Sequence, residues 1–181
     1  MARVSYATTS QATGDAHDVL AQMDQRGREV LNLHRAIARS PNPLRNFLRL
    51  GNSLLLYGQL APNLRELAIL RIAQITGADY EWAHHAPIAK QAGVSDAQVQ
   101  ALADWRTAPE FNATDRAVLA YVEAATACNV PDDVFESVRS HLSEEEVVEL
   151  TLVCGYWGMV ACVLTSLKID VEPSSQKYLP A

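Results

Sequence analysis

Side chains that can hold or move a proton are concentrated in the segment ELAILRIAQITGADYEWAHH, residues 66–85. Within it Glu81 and His85 stand four positions apart, so on a helix the carboxyl and the imidazole lie on one face and can meet. Such a pair can fix one tautomer of the histidine and transfer a proton near neutral pH. Tyr80 and His84 form a second pair with the same spacing, about 100° around the helix. The two pairs cannot both point to the same site. The sequence leaves open whether His84 or His85 faces that site.

Glu66, the acid that opens this segment, precedes a run of mostly apolar residues that is interrupted at Gly77. If the chain reverses at this glycine into an antiparallel helical hairpin, Glu66 returns towards Glu81 and His85. The three groups would then surround one pocket, where a low dielectric raises the pKa of a carboxyl towards the range that is useful for catalysis. The residues predicted to be catalytic are Glu66, Glu81, His85, Tyr80 and His84.

Simpler interpretations of the same residues stay open. Glu66 could pair with Arg65 or Arg71, and Glu81 with His85 could be an ordinary surface pair worth roughly 0.2–0.5 kcal/mol. Glu66, Glu81 and His85 could also bind a metal ion, but no HExxH, HxH or cysteine cluster supports this reading. We therefore expect no metal and no other cofactor.

Helical spacing of apolar residues dominates the chain, and no long segment alternates with the period of a strand. The pattern predicts an all-α protein of seven or eight helices, in a single domain over residues 15–181 that follows an unstructured segment at 1–14. From Ile169 the tail is predicted to be extended. Helices are expected at 15–38 with a break at Gly27, and at 43–57, 64–75, 80–91, 95–105, 116–128, 131–140 and 147–167.

Composition argues against several classes of function. The 181 residues carry a net charge of −6 and no basic run, unlike proteins that bind the phosphates of nucleic acid. The N-terminus lacks a secretory core, and we expect no membrane span and a cytoplasmic location. Cys128, Cys154 and Cys162 form no CxxC; we expect reduced thiols, the last two of them buried.

Residues 65–93, RELAILRIAQITGADYEWAHHAPIAKQAG, resemble the carboxymuconolactone decarboxylase and alkylhydroperoxidase D superfamily, and residues 33–51 and 147–167 extend the likeness. The resemblance implies an all-helical, alkylhydroperoxidase D-like fold with an internal helical repeat, which would give meaning to the Glu-Leu pairs that begin at Glu66 and Glu149. It also implies a homo-oligomer, a trimer or a hexamer, whose interfaces would account for the many apolar residues.

The peroxidase branch of this superfamily has a glutamate, eleven intervening residues, a CxxC and a histidine four residues after the second cysteine. Glu66 and His85 hold the outer positions of that pattern, whereas Ala78 and Glu81 stand where the two cysteines would be. Thiol chemistry needs sulfur as nucleophile and as resolving group, so the resemblance implies a shared fold without the thiol reaction. The chain looks like the cysteine-free branch, which acts without a metal or an organic cofactor.

That branch implies a lyase or decarboxylase, or an isomerase, acting on a small carboxylated lactone or a related acid. In this interpretation His85 is the general acid or base, Glu81 orients it or shares its proton, and Glu66 positions the substrate or relays a proton. Tyr80 or His84 would donate a hydrogen bond to a developing enolate. A substrate carboxylate favours an arginine partner. The candidates are Arg45, Arg49, Arg65 and Arg71.

Two other functions stay open. One is a thiol-type peroxidase or disulfide reductase, which the missing CxxC disfavours. The other is a non-catalytic, oligomeric binding or stress protein that uses the same fold as a scaffold. The partners expected for the favoured function are a small-molecule substrate and further copies of the chain, without nucleic acid or membrane.

Overall fold

The computed structural model describes residues 1–27 and 29–180. Within this part the chain forms nine α-helices and no strand, which confirms the predicted all-α class. The nine helices are one more than the upper count of seven or eight, and the break that the sequence predicts at Gly27, where φ is left-handed at 62°, accounts for the extra helix. The helices are α1 Gly14–Gln25, α2 Asn32–Ile37, α3 Pro43–Leu56, α4 Pro62–Thr76, α5 Asp79–Gln91, α6 Asp96–Ala101, α7 Ala113–Thr126, α8 Asp132–Arg139 and α9 Glu144–Leu167.

Helices α4 and α5 form the hairpin that the sequence predicts. Gly77 closes α4 in a left-handed conformation with φ 65° and ψ 30°, and the Ala78 N–H donates to the Ala73 carbonyl. Most faces of α4 are apolar, and Leu67 and Leu70 are fully buried, because α4 packs at the centre against α5, α7 and α9. The reversal returns the first turns of α4 to the middle of α5.

The longest helix, α9, supplies one wall of the core. A capping box begins it: the Glu146 N–H donates to Ser143 Oγ, and the Ser143 N–H donates to the Glu146 carboxylate. By length and composition α9 is, within the described residues, the one helix that could cross a membrane. Half of its most apolar stretch is buried by the rest of the protein, as in the core helix of a soluble protein. The length and the composition of α9 are therefore weak evidence for a membrane span.

Residues 1–14, expected from the sequence to be unstructured, make defined contacts in the structure. Ala7 is fully buried and its N–H donates to the Arg35 carbonyl at 3.0 Å, while the Arg3 N–H donates to the Leu167 carbonyl at 2.8 Å. Ala7 and Ala12 pack in a small cluster with residues of α1. Short side chains suffice in this narrow space, and a segment rich in alanine, serine and threonine therefore gives no sequence signal of its packing.

The tail after α9 also differs from the extended segment that the sequence predicts. It contains a 3-10 helix, Gln176–Tyr178, and it turns back so that Glu172 is only 3% exposed. Asn32 Nδ2 donates to the Asp170 carbonyl at 2.9 Å, which ties the tail to the start of α2. A charged residue of the tail is thereby placed inside the protein, next to α2 and α5.

Candidate functional site

A cavity of about 250 Å³ lies between α2, α3, α5 and α9. Its wall is mainly apolar and aromatic, as in most sites for small organic molecules. Four of the five residues predicted to be catalytic line it, namely Tyr80, Glu81, His84 and His85. The other lining residues are Leu31, Leu33, His34, Phe47, Leu48, Gly51, Asn52, Leu55, Ile88, Tyr156, Trp157 and Val160.

The imidazole of His85 is held from both sides. Its Nδ1 lies 2.8 Å from Glu66 Oε2, and Trp157 Nε1 donates to its Nε2 at 3.2 Å. An indole N–H can only donate, so Nε2 is the acceptor and Nδ1 carries the hydrogen that Glu66 accepts. These two hydrogen bonds correspond to the neutral Nδ1–H tautomer of His85. Its Nε2 faces Trp157, which also lines the cavity.

Glu66, the fifth predicted residue, stands behind His85 rather than in the cavity wall. It is fully buried, and its second oxygen accepts from Arg65 Nε at 3.2 Å. Glu66 is therefore the residue that accepts the hydrogen bond orienting His85. The sequence spacing suggested Glu81 for this role. The predicted pairing of Glu66 with Arg65 is present as well, and both contacts belong to one buried network.

Glu81 carries the one fully buried side-chain polar atom of the described residues that has no hydrogen-bond partner. Its side chain is 3% exposed, and Oε2 has no hydrogen-bond partner among the residues that the structure describes. Burial raises the pKa of Glu81 well above its ordinary value, because desolvation penalises the carboxylate. Burial therefore favours the carboxylic acid form of Glu81, which has a proton to donate.

A second acid and imidazole pair lies on the other side of the cavity. Glu172 accepts hydrogen bonds from Tyr80 Oη, from His84 Nε2 and from the Asn32 N–H, each at 2.6 Å. Burial by itself raises the pKa of Glu172, but these donors outweigh it and lower the pKa to about 2. Since ionised Glu172 can only accept, Nε2 of His84 carries a hydrogen.

His34 and Tyr80 complete this side of the cavity as uncharged groups. Burial lowers the pKa of His34 to about 4, with a smaller upward effect of Glu172 and a downward effect of His84. Burial, followed by the hydrogen bond to Glu172, raises the pKa of Tyr80. Spacing along the sequence does not single out His34, Glu172 or Trp157, because their neighbours in the structure are distant along the chain.

The arginine that the sequence led us to expect for a substrate carboxylate is not in the cavity wall. No lysine or arginine of residues 1–27 and 29–180 lines the cavity. Arg49 lines a neighbouring groove instead. The remaining three candidates have acidic partners: Arg45 with Asp15, Arg65 with Glu66 and Arg71 with Glu123.

The thiols are also remote from this site. Cys128 and Cys162 are exposed, which corrects the expectation that Cys162 is buried, and none of the three cysteines lines the cavity. Cys154 is buried as expected, and burial raises its pKa to about 12, which disfavours the reactive thiolate. In the described part of the chain, no three His, Cys, Asp or Glu side chains are placed to bind one metal ion.

The ionised state of Glu172 predicts an acid-dependent loss of stability. Because the pKa of Glu172 is lower in the folded chain than in the unfolded chain, its contribution is full above about pH 4.5 and is lost as the pH falls towards 2. That contribution is about 3 kcal/mol. Glu172→Gln should therefore reduce the decline in the free energy of unfolding between pH 4.5 and pH 3, measured by urea denaturation at each pH. Parallel declines in the variant and the natural chain would contradict the assigned charge of Glu172.

Comparison with known proteins finds a family that matches part of the sequence and solved structures with a similar fold. The carboxymuconolactone decarboxylase family matches residues 41–124, which include α3, α4 and α5. YnjA, an uncharacterized protein of Escherichia coli K12, is 30% identical over 116 residues, or 62% of this chain. YdfG, an uncharacterized protein of Bacillus subtilis 168, is 28% identical over 92 residues, or 49% of this chain. The matches span 63% of the length of each of these curated relatives.

Among solved structures, the chain is similar to a protein of unknown function from Agrobacterium tumefaciens that bears the name AhpD. The two chains are 25% identical and superpose with a TM-score of 0.70, over 75% of this chain and 94% of the other.

Proposed function

Because residues 41–124 match the carboxymuconolactone decarboxylase family and the chain has the alkylhydroperoxidase D-like fold, we propose that its cavity catalyses proton transfer without a cofactor. The substrate is a small oxygenated acid or lactone, and the enzyme is an isomerase or a decarboxylating lyase. The observation that carries this proposal is Glu81, a buried carboxylic acid without a partner in the wall of a small cavity, next to an oriented imidazole.

In the proposed reaction, the neutral Glu81 carboxyl donates a hydrogen bond to a carbonyl oxygen of the substrate. His85 Nε2 takes the proton from the adjacent carbon, and the electron pair of the C–H bond moves onto the carbonyl oxygen as an enolate. Glu81 stabilises that charge, and Glu66 stabilises the imidazolium that forms. Return of the proton to a different carbon completes an isomerisation, with no change in oxidation state.

A decarboxylation uses the same groups in a different order. The bond to the carboxylate carbon breaks, CO₂ leaves, and its electron pair moves onto the carbonyl oxygen that Glu81 holds. A proton from Glu81 then reaches the carbon, and solvent replaces that proton. Donors in a dry cavity stabilise the enolate in both reactions, because they are already oriented and compete little with water.

The contact between Trp157 and His85 is compatible with this role. The indole N–H occupies the Nε2 lone pair at 3.2 Å, a long distance for such a bond. Catalytic hydrogen bonds are often long before substrate binds. A substrate proton reaches Nε2 when it displaces this one donor, while Glu66 keeps the ring in place.

Exchange of carbon-bound hydrogen in D₂O tests the proposal and does not require the natural substrate. A panel of small oxo acids and unsaturated lactone acids is incubated with the protein, and NMR records deuterium at carbon next to the carbonyl. We expect exchange above the buffer rate for some members, retained in His141→Gln, which changes an exposed histidine, and lost in His85→Gln. A scaffold protein gives no exchange with any member, and exchange that survives His85→Gln would overturn the assigned base.

A further inference from the structure

Three histidines line the cavity, and one of them, His84, offers a ring nitrogen to a ligand while the rest of its ring is held in place. His34 is neutral, since burial lowers its pKa to about 4, and His85 Nε2 accepts from Trp157. Burial raises the pKa of Glu81 and so favours its uncharged form, and no described lysine or arginine lines the wall. His84 combines two features that the other two histidines do not share: its Nε2 is bonded to the ionised carboxylate of Glu172 at 2.6 Å, and its Nδ1 has no partner in the described chain.

The hydrogen bond between His84 and Glu172 also determines which nitrogen of the His84 ring can bind a ligand. Nε2 is committed to Glu172, and within the described chain no partner is found for Nδ1. The side chain of His84 is 18% exposed, lines the cavity, and is stacked at 4.6 Å on the ring of Tyr80. A ring fixed in this way keeps one nitrogen for a ligand.

We propose that His84, held by Glu172, is the anion-binding residue of the cavity, and that the protein therefore takes substrates that carry a single carboxylate. This inference rests on the proposed function, whose substrate class it narrows. When the ligand carboxylate meets Nδ1, the imidazole holds hydrogens on both nitrogens, and Glu172 compensates its charge. Glu172 is a positioning residue in this arrangement, because it acts through His84.

One carboxylate is accommodated and a second is not. A second carboxylate in the cavity would have no cation of the described residues to meet, and burial of an unpaired charge is costly. The groups that face His84 include no further cation either: they are Glu172 from the tail, Tyr80 from α5 and His34 from α2. Selectivity for monoacids over diacids follows from this charge count.

Binding of small aromatic acids to the full-length protein tests the inference. The probes are benzoate, the neutral benzamide and the dianion phthalate, titrated by calorimetry between pH 6 and pH 8. We expect saturable binding of benzoate, at least tenfold weaker binding of benzamide and phthalate, and weaker binding of benzoate as the pH rises. In the natural chain with ¹³C-labelled histidine, the His84 resonance should move on addition of benzoate. No saturable binding, or equal binding of benzoate and benzamide, would overturn the proposal.

Variants separate His84 from the nearby arginine. Arg49 lines a groove that shares Leu48 and Asn52 with the cavity, so it offers an alternative anion site. We expect Glu172→Gln and His84→Gln to weaken benzoate binding at least tenfold and to leave benzamide unchanged, whereas Arg49→Gln leaves both unchanged. Loss of benzoate binding in Arg49→Gln alone would contradict the inference. If a variant does not fold, the response of the His84 resonance to benzoate in the natural chain still shows whether benzoate binds at His84.

The two proposals fail differently. Exchange in D₂O without a preference for carboxylates would retain the acid–base function and exclude His84 as the anion site. Benzoate binding at His84 without exchange for any member of the panel would support the anion site and contradict the catalytic proposal.

Discussion

Glu81→Gln should lower the rate of proton transfer in this cavity by about two to four orders of magnitude, the usual contribution of a positioned acid or base. Glutamine has nearly the shape of the protonated acid, and it can still donate a hydrogen bond to a carbonyl oxygen. Its amide is a far weaker acid than a carboxyl and cannot pass a proton to the oxygen of the forming enolate, so the removal of the proton from carbon by His85 is slowed. Deuterium exchange at substrate carbon, compared between the variant and the natural chain under identical conditions, measures the effect.

The stability of the same variant is the control for this result. Because the pKa of Glu81 is raised in the folded chain, its neutral form stabilises the fold at low pH, and this contribution is lost as the pH rises above the ordinary value of 4.5 towards the folded pKa. Glutamine does not ionise, so at pH 7 the variant should be at least as stable as the natural chain. A variant that unfolds more easily yet keeps its exchange rate would show that Glu81 has a structural role only.

The hairpin and its two histidines could be predicted because their determinants are local. The apolar run of α4, the glycine at position 77 and the four-residue spacing of α5 are all read within one segment, residues 66–85. Spacing on a helix also restricts which pairs can meet. These rules place Glu66 near α5, but they do not show which acid reaches His85, because that depends on how far apart the two helix axes lie.

The other half of the site could not be predicted from the same signals. Glu172 stands 88 residues after His84, in a tail without helical spacing, and their contact depends on the path of the chain after α9. Trp157 stands 72 residues after His85, in an apolar helix where an aromatic residue is the ordinary choice for the core. An isolated glutamate before a proline gives no indication of burial, because charged residues are normally exposed.

The structure also explains how a position that could hold a redox cysteine can serve a different chemistry. Glu81 stands where the peroxidase pattern has its second cysteine, in a dry wall next to an oriented histidine. A thiol at that position needs a second sulfur within reach to turn over, and Ala78 does not provide one. A carboxyl needs only burial for its protonated form to be favoured, and the same wall provides that burial.

Glu66→Ala should cost about 3–5 kcal/mol in the free energy of unfolding, the range for removal of one partner from a buried charged network. The carboxylate of Glu66 is fully buried and receives Arg65 Nε and His85 Nδ1. Arg65 is only 8% exposed, and without Glu66 its guanidinium has no anionic partner. The Nδ1–H of His85 also loses its acceptor. Urea denaturation at pH 7 measures this change. The dependence of the free energy of unfolding on urea concentration is compared between the variants, so that a change in the unfolded state is recognised.

Glu66→Gln separates the charge of Glu66 from its shape. The amide oxygen can still accept from His85, but the amide group is neutral, and its nitrogen cannot accept from Arg65. We expect a smaller loss of about 1.5–3 kcal/mol, the contribution of a hydrogen bond to a charged group. Glu144→Ala, at an exposed position in the first turn of α9, should change stability by less than about 1 kcal/mol. If Glu66→Ala cost no more than Glu144→Ala, Glu66 would not be the buried anion that holds His85, and the orientation of the proposed base would need another explanation.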